Sequence, residues 1–244
     1  MGKFIQLLIA AICIILHFIG SFFLGLIPAK ILSLLGFKGT AESLLRINGH
    51  LLAKGIVFFL GGTVHVTGLE NLHIPDKCIC FVSNHQSYTD IPLIVSYIPL
   101  FLGFVAKIEL KKVPILNGWI SALGCVYIDR SSARSSVKAV LDGVKTLKSG
   151  HPLVIFSEGT RSKCNGFGKF KPGSLKLATR AKAVIFPITI QNTYKLLEGR
   201  KDKKKLRTPI YLTIHPPIPT EGLSEKELKS LPEKVFSTIK SKTI

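Results

Sequence analysis

A long uncharged apolar run near the amino terminus constrains the fold more than any other feature of this chain. The run, FIQLLIAAICIILHFIGSFFLGLIPA, extends from Phe4 to Ala29 and contains no formally charged residue. As a helix it would be about 39 Å long at about 1.5 Å per residue, enough to cross a hydrocarbon core of roughly 30 Å. The run is longer than the apolar core of a signal peptide, and no clear A-x-A cleavage site accompanies it. We therefore expect residues 1–60 to form hydrophobic helices that anchor the protein in a membrane.

Two arrangements of this anchor are open. Either one helix spans the bilayer, or a pair of helices lies in one leaflet with Pro28 and Gly36 marking the bend. A second apolar stretch, GIVFFLGGTVHV, is too short to span a bilayer and is interrupted by Gly61 and Gly62. The segment after the run has an excess of cations over anions, in Lys30, Lys38, Arg46 and Lys54 against Glu42. This excess predicts that the segment, and the domain that follows it, faces the cytoplasm.

The charge and the hydrophobicity of the chain together indicate a membrane surface as its partner. Among 244 residues there are 33 Lys and Arg against 14 Asp and Glu, a formal charge of +19, and 47% of the residues are hydrophobic. Each Lys or Arg close to an anionic bilayer can contribute roughly 1 kcal/mol of attraction. The segment GRKDKKKLR, residues 199–207, is predicted to be a solvated basic loop, for solubility or for contact with such a surface. We expect anionic membrane lipid as a partner and no nucleic acid, because a nucleic-acid-binding protein of this charge would be less apolar.

Cysteine usage favours a reducing compartment. Five cysteines are present, an odd number, and none belongs to a C-x-x-C pair. Cys78 and Cys80 alternate in a predicted strand and therefore share one face, as buried thiols. Neither a disulfide framework nor a zinc site is predicted, so a cytosol-facing domain is the simplest interpretation. The H-E-x-x-H and P-loop motifs are also missing, and we expect neither a metal nor another cofactor.

From residue 63 onward, short apolar strands alternate with helices. Six segments are predicted strands, the last of them at a sheet edge: TVHVTG, KCICFVSN, GCVYIDR, HPLVIFSEGT, AVIFPITI and TPIYLTIHPPI. Four segments are predicted helices: IPLIVSYIPLFLG, SARSSVKAVLDGVKTLKSG, GSLKLATRA and residues 223–240. The last helix begins with a capping box, Ser224 and Glu227, and is predicted to break or restart at Pro232. The alternation predicts an α/β fold, a layered domain with a mostly parallel central sheet flanked by helices and preceded by the membrane anchor.

The first of two polar turns, SNHQSYTD, follows a predicted strand, and ligands of α/β sheets gather beyond the carboxyl ends of strands. His85 and Asp90 are five residues apart and would point about 140° apart on one helix. We therefore place His85 in the turn and Asp90 at the start of the next helix, reaching back to the imidazole. A carboxylate on one ring nitrogen fixes the tautomer and frees the other nitrogen. Histidine, with an ordinary pKa of about 6.5, can then act as a general base at neutral pH. A purely structural hydrogen bond is the alternative.

The second polar turn, SEGTRS, offers groups that suit an anionic substrate. Gly159 permits close approach of the backbone, Thr160 offers a hydroxyl, and Arg161 can bind phosphate through two parallel hydrogen bonds. Glu158 could hold that arginine or a substrate hydroxyl. Lys107, which lies between the two turns, is a further cation. The alternative for the arginine is an ordinary surface ion pair.

Four ordered segments carry a resemblance to a known family. NHQSYTD, KIELKKVPILNG…YIDR, FSEGTRS and VIFPITI closely resemble motifs of the 1-acyl-sn-glycerol-3-phosphate acyltransferases, a family of glycerolipid acyltransferases. The resemblance covers about residues 60–220 and implies that residues 61–244 form a catalytic domain. It implies that His85 and Asp90 are the catalytic pair.

The same resemblance implies a site for the substrate. Lys107 and Arg161 match the cations that bind the phosphate, and Glu158, Gly159 and Thr160 belong to the same substrate-binding motif. One departure is clear, because Ser157 stands where the family usually has proline. That change affects the rigidity of the loop more than its charge.

The resemblance also implies a reaction. An acyl group passes from acyl-CoA or acyl-carrier protein to the sn-2 hydroxyl of lysophosphatidic acid, giving phosphatidic acid, with His85 as general base and Asp90 as its orienter. An acyltransferase that acts on another lysophospholipid is the nearest alternative. A lipid or thioester hydrolase would use Ser83 or Ser87 as nucleophile, although the G-x-S-x-G motif is missing. A membrane adaptor would bind anionic lipid without turnover.

Overall fold

Eight helices and seven strands make up the part of the chain that the computed structural model describes, residues 3–72, 78–129, 132–171, 173–199 and 207–242. The helices are α1 (Lys3–Ser21), α2 (Ile27–Leu34), α3 (Lys38–Phe59), α4 (Asp90–Tyr97), α5 (Pro114–Ala122), α6 (Ala133–Lys148), α7 (Lys176–Arg180) and α8 (Glu225–Lys240). The strands are β1 (Gly62–Thr67), β2 (Ile79–Ser83), β3 (Gly103–Lys107), β4 (Val126–Ile128), β5 (Leu153–Phe156), β6 (Val184–Gln191) and β7 (Thr208–Ile214). The predicted basic loop at 199–207 lies outside these ranges except for its two end residues.

The amino-terminal helices form a hairpin. α1 continues through one π-helical turn into α2, and α3 folds back against both. The chain reverses at Gly36, whose φ of +90° lies in the left-handed region that glycine adopts at little cost. Of the two residues that mark the bend in the paired-helix arrangement, Gly36 does lie at the reversal, whereas Pro28 lies in the first turn of α2, inside the helical run, where proline is tolerated. Among the residues that the structure describes, one stretch, Leu8–Leu34, is long and apolar enough to cross a membrane by length and composition.

The inside and the outside of this hairpin differ. Inside, a β-carbon at Gly25 would lie 2.4 Å from the Asn48 side chain and one at Gly55 would lie 2.6 Å from the His17 ring, so small residues allow the helices to approach. Outside, large apolar side chains are exposed, among them Leu16, Leu24, Leu34 and Leu35. A contiguous apolar surface of this kind marks a site of contact with lipid or with another protein.

One seven-stranded sheet, in the order β1-β7-β6-β2-β5-β3-β4, forms the centre of the described fold. Every neighbouring pair is parallel except β6 and β7, so the predicted mostly parallel sheet is confirmed. The prediction that the last strand lies at an edge is wrong, because β7 lies between β6 and β1. β1, the first strand of the domain, pairs with the outer side of β7 and so takes the edge position. This pairing joins distant parts of the chain and is not evident from the pattern of each strand alone.

Two predicted helices have different bounds in the structure. The segment 91–103 was expected to be one helix, but α4 ends at Tyr97 and β3 begins at Gly103. Pro99 disfavours helical geometry in the residue before it, and Ile98 is extended. The predicted break at Pro232 is also wrong, because α8 continues through it with Leu231, Val235 and Ile239 buried on one stripe. The predicted capping box of that helix is present.

The two faces of the sheet are covered by different helices. Along β2, Cys80 and Val82 face one apolar cluster and Phe81 faces the other. The first cluster contains residues of α6, α7 and α8, and Cys78 packs there beside Cys80, as their predicted common face requires. The second contains Leu93 and Ile94 of α4, against which α3 packs. The amino-terminal hairpin therefore lies on the α4 side of the sheet, and α6 lies on the other side.

Candidate active site

Three adjacent parallel strands bring the predicted site residues to one edge of the sheet. β5 pairs with β2 on one side and with β3 on the other. Since parallel strands end at the same edge, the turn after β2, the turn after β5 and the end of β3 are neighbours there. These segments contain His85, residues 157–161 and Lys107 respectively. The strand order therefore assembles in space what the sequence spreads over about a third of the chain.

His85 and Asp90 meet as predicted. The imidazole Nδ1 lies 2.7 Å from Asp90 Oδ2, and the same oxygen accepts hydrogen bonds from the backbone N–H groups of Gln86 at 2.6 Å and Ser87 at 3.0 Å. The aspartate side chain is fully buried, whereas 16% of the histidine side chain is exposed. A proton on Nδ1 satisfies the short contact and leaves Nε2 as the acceptor. The turn thus holds a buried carboxylate behind a partly exposed imidazole.

Aromatic residues fix the plane of that imidazole. The ring of His85 stacks on Phe156, the last residue of β5, with centroids 4.0 Å apart and planes 16° apart. Phe104 of β3 stacks behind it, 6.3 Å from Phe156. The histidine is therefore held from two directions, by a carboxylate in the ring plane and by an aromatic face below it. Such support limits the ring to one orientation.

Glu158 joins the two polar turns through the backbone and does not pair with Arg161. Its Oε1 accepts the N–H of His85 at 2.9 Å, and its Oε2 accepts the N–H of Gly168 at 2.8 Å. Burial raises the pKa of the carboxyl, and the two backbone hydrogen bonds partly oppose this effect. The N–H of Ser162 also donates to the carbonyl of His85, at 2.8 Å. The turn after β5 therefore fixes the backbone of the histidine.

The neighbours of Glu158 have different surroundings. Gly159 adopts a φ of +72°, a conformation that favours glycine, whereas the nearest atoms to a β-carbon there belong to the flexible end of the Lys171 side chain. Thr160 is exposed at the tip of the turn. Ser157 is buried, and its hydroxyl has no hydrogen-bond partner among the described residues. Its backbone carbonyl accepts the N–H of Lys171 at 2.9 Å, which holds the turn closed.

Arg161 is held by a residue that the sequence analysis missed. Its Nη1 lies 2.8 Å from Glu198 Oε1, and its guanidinium carbon lies 3.4 Å above the Tyr88 ring. Glu198 also accepts the hydroxyl of Ser87 at 2.6 Å and the N–H of Tyr88 at 3.1 Å. Burial would raise the pKa of this carboxyl, but the hydrogen bonds from Ser87, Tyr88 and Arg161 outweigh it, and the pKa is lowered. The sequence did contain a signal for this partner of Arg161, because Glu198 and Asp202 are the only acidic residues between Gly159 and Thr220 and so the only nearby candidates in the chain.

Lys107 reaches the same edge without a fixed partner. It is the last residue of β3, pairs with Ile128 of β4 and is exposed. No described residue forms an ion pair or a hydrogen bond with its ammonium group. Within the described ranges, no group of three or more His, Cys, Asp or Glu side chains is placed to hold a metal. Of the two cations predicted to bind phosphate, Arg161 is thus held by an ion pair and Lys107 has no partner among the described residues.

Comparison with known proteins identifies the family. Residues 63–191 match the family model described as Acyltransferase. The 1-acyl-sn-glycerol-3-phosphate acyltransferase of Saccharomyces cerevisiae is 31% identical over 96% of this chain and 76% of its own length. The chain belongs to the 1-acyl-sn-glycerol-3-phosphate acyltransferase family. An acyltransferase of the same name from Borreliella burgdorferi is 32% identical over 72% of this chain and 69% of its own.

A solved structure of the family extends the likeness to the whole described chain. The acyltransferase PlsC from Thermotoga maritima, described as acting on 1-acyl-sn-glycerophosphate, superposes with a TM-score of 0.76 at 28% identity, over 99% of this chain and 95% of that one. Chloroplastic relatives from Arabidopsis thaliana and Brassica napus are 34% and 32% identical, and this chain spans 44% of the length of each. The matched residues include every site residue predicted from the sequence of this chain and end before Glu198.

Proposed function

We propose that this acyltransferase transfers an acyl group from acyl-CoA or acyl-carrier protein to the sn-2 hydroxyl of 1-acyl-sn-glycerol-3-phosphate, producing phosphatidic acid. The observation that carries the proposal is the His85–Asp90 contact at 2.7 Å, at the same sheet edge as Arg161. A base beside a phosphate-binding cation suits a substrate that has a hydroxyl and a phosphate on one small backbone. The names of the relatives are consistent with that substrate.

The chemistry follows from the free ring nitrogen. His85 Nε2 takes the proton of the sn-2 hydroxyl while the hydroxyl oxygen attacks the thioester carbonyl. The buried carboxylate of Asp90 stabilises the imidazolium that forms. When the tetrahedral intermediate collapses, the carbon–sulfur bond breaks, and the leaving thiolate takes the proton from the imidazolium to become the free thiol.

In this proposal, two cations orient the substrate by binding its phosphate. Arg161 commits Nη1 to Glu198, and its remaining N–H donors can bind phosphate oxygens. Lys107, exposed at the end of β3, adds a second positive charge. Glu198 acts as a positioning residue, because it links the guanidinium to the backbone of the turn that contains His85. Such positioning of a hydroxyl against a base can lower the activation barrier by several kcal/mol, and by about 7–11 kcal/mol in ideally oriented systems.

The helical hairpin is the membrane anchor in this proposal, with residues 61–244 as the catalytic domain on the cytoplasmic side. The π-helical turn Phe22–Leu26 contacts α5, and His50 of α3 contacts the carbonyl of Val95 in α4. The hairpin thus lies along the catalytic domain rather than projecting away from it. This geometry favours insertion into one leaflet over a complete span. The exposed lysines of the segment would then meet anionic headgroups.

A donor and acceptor matrix tests the activity. Purified full-length protein is given radiolabelled acyl-CoA or acyl-carrier protein together with lysophosphatidic acid or lysophosphatidylcholine. The proposal expects phosphatidic acid from the phosphomonoester, dependence on His85, and little product from the choline ester. Equal use of both acceptors would transfer the assignment to a general lysophospholipid acyltransferase.

Free fatty acid as the main product would instead support a hydrolase. The structure disfavours that reaction, because the described hydrogen bonds of His85 include neither candidate serine. Ser87 Oγ donates to Glu198, and Ser83 Oγ is buried without a described partner. Ser83→Ala and Ser87→Ala should therefore retain acyl transfer. If the wild type releases free fatty acid and either variant no longer does, that serine is a hydrolytic nucleophile and the proposal is overturned.

A further inference from the structure

The exposed face of α6 combines apolar and cationic side chains in one stripe. We call this set of six residues the α6 stripe: Arg134, Val137, Lys138, Leu141, Lys145 and Lys148. At 3.6 residues per turn, their spacing places them within about 100° of one another around the helix axis. All six are exposed, and the two apolar members are unusually so, at 57% for Val137 and 55% for Leu141. Exposure of two large apolar side chains to water is unfavourable, and apolar residues surrounded by charged ones commonly mark a site of contact with another molecule.

The opposite face of α6 holds the helix firmly on the domain. Ala139 and Leu147 are buried in the apolar cluster on this side of the sheet, and Val140 and Val144 pack against it. The amino terminus of the helix is capped by the Ser132 hydroxyl, which accepts the N–H of Ser135. The α6 stripe therefore contributes little to folding and is presented on a rigid element. Its composition requires another explanation.

The membrane is not the natural partner of this stripe. The hairpin and α4 cover one face of the sheet, and α6 covers the other. A membrane that receives the exposed apolar side of the hairpin is thus on the far side of the sheet from α6. The stripe faces the aqueous phase, where its partner must be a soluble molecule.

The other large helix on the same side has a different surface. The outward face of α8 mixes cations with Glu225, Glu227 and Glu233, and the one large apolar side chain exposed on it is Leu228, at 38%. The α6 stripe contains no acid, and the acid beside it, Asp142, pairs with Lys138 at 2.5 Å. The cationic and apolar combination is thus a property of α6 rather than of every helix in a basic protein. It complements an acidic protein surface that has apolar residues at its centre.

The position of α6 connects the stripe to the site. The helix follows β4, whose last residue, Ile128, pairs with Lys107 at the sheet edge that carries the site. α6 therefore starts at this edge and runs back from it for about 24 Å, at about 1.5 Å per residue. A protein docked along the helix would lie beside the site, where a flexible arm could deliver a thioester.

We propose that the α6 stripe is the docking surface for an acidic acyl-carrier protein that presents the acyl thioester. This inference rests on the proposed acyl transfer and assigns its protein donor to a named surface. The four cations contact acidic side chains of the carrier, and Val137 and Leu141 contact its apolar residues. Coenzyme A, which has no protein surface, reaches the site without the stripe.

The test compares two donors in matched variants of the full-length protein. Arg134→Glu/Lys145→Glu reverses two stripe charges that no described ion pair uses. Lys229→Glu/Lys234→Glu makes the same charge change on exposed positions of α8. Each protein is assayed with palmitoyl-carrier protein and with palmitoyl-CoA on the same acceptor. We expect the KM for the carrier-linked donor to rise about tenfold in the α6 variant only, with the KM for palmitoyl-CoA changed less than about twofold.

A third variant separates contact from charge. Leu141→Ser removes one exposed apolar side chain and leaves the net charge unchanged, so its melting temperature should match that of the wild type while the KM for the carrier-linked donor rises. Equal losses with both donors, or equal losses in the α8 variant, would overturn the docking surface in favour of general attraction. Loss of binding to anionic phosphatidylglycerol vesicles with carrier kinetics intact would assign the stripe to the membrane. Turnover with palmitoyl-CoA but none with the carrier would overturn the inference alone, and no turnover with either donor would overturn the proposed function.

Discussion

The two halves of the site are built differently. In the histidine half, His85 is held by a fully buried carboxylate, by the aromatic face of Phe156 and, through its backbone, by the buried Glu158. In the arginine half, Arg161 is held by one side-chain ion pair and by the exposed ring of Tyr88, and Lys107 is not held by any described residue. In the first half, Asp90 and Glu158 each accept hydrogen bonds from two backbone N–H groups. In the second half, Glu198 also accepts the N–H of Tyr88, but Arg161 itself is held only through side chains that can rotate.

This difference indicates how the two halves share the work. A base must be in place before the substrate arrives, because its geometry with the hydroxyl decides the chemical step. A phosphate-binding group gains from adjusting to its ligand, and its loss affects binding first. We therefore expect changes in the histidine half to lower kcat and changes in the arginine half to raise KM.

The largest effect is expected from His85→Ala. Removal of the base should lower kcat by about 10³-fold, within the usual range of about 10²–10⁴ for general base catalysis. Single-turnover measurements with lysophosphatidic acid check the chemical step directly. Binding of lysophosphatidic acid, followed as a shift in melting temperature, should remain. Activity above about a tenth of the wild-type value would place the base elsewhere.

Asp90→Asn should be next. The amide is nearly the same size but cannot stabilise an imidazolium, and its NH₂ group facing Nδ1 would force the wrong tautomer. We expect kcat to fall by about 10²-fold and the free energy of unfolding to fall by about 1–3 kcal/mol, because buried backbone N–H groups lose a charged acceptor. Steady-state kinetics and urea denaturation measure the two effects separately. A change confined to KM would break the distinction between the halves.

In the arginine half, Arg161→Ala should act mainly on KM. Loss of charged hydrogen bonds worth about 1.5–3 kcal/mol corresponds to a rise of about 10- to 150-fold in the KM for lysophosphatidic acid, with kcat changed only a few-fold. Arg161→Lys should recover part of the loss, because the charge remains while the two-pronged geometry is lost. A fall in kcat as large as that of Asp90→Asn would contradict the division of roles.

The smallest effect is expected from Glu198→Gln. The amide keeps one acceptor oxygen but loses the charge that holds Arg161, so the KM for lysophosphatidic acid should rise about three- to tenfold while kcat stays within about twofold. Glu221→Gln is a matched control, since it removes the exposed ion pair with Lys182 and should leave the KM unchanged. Because the pKa of Glu198 is lowered, its charge persists into mildly acidic solution. The difference between wild type and variant should then disappear only as the pH falls through that lowered pKa.

Several structural predictions could be made from the sequence because they depend on neighbouring residues. Alternation of strands and helices requires layers around a mostly parallel sheet, and the capping box of α8 needs only residues 224 and 227. The contact between His85 and Asp90 closes within one turn of chain. The predicted helix over 91–103 was wrong at its carboxyl end, because Pro99 disfavours helical geometry at Ile98 and the chain is irregular until β3 begins at Gly103.

Long-range placement explains what the sequence did not reveal. Glu198 follows β6, and it reaches Tyr88 and Arg161 because β6 is the neighbour of β2 in the sheet. Sequence alone determined the candidates for the proposed chemistry, which are the histidine, its carboxylate and the arginine, and it determined the long apolar run. Only the tertiary structure decided which of them meet, which carboxylate holds the arginine and which face of α6 remains exposed. The physical reason is that side chains distant along the chain are brought together by strand order and by burial of both sheet faces, and neither is a local property.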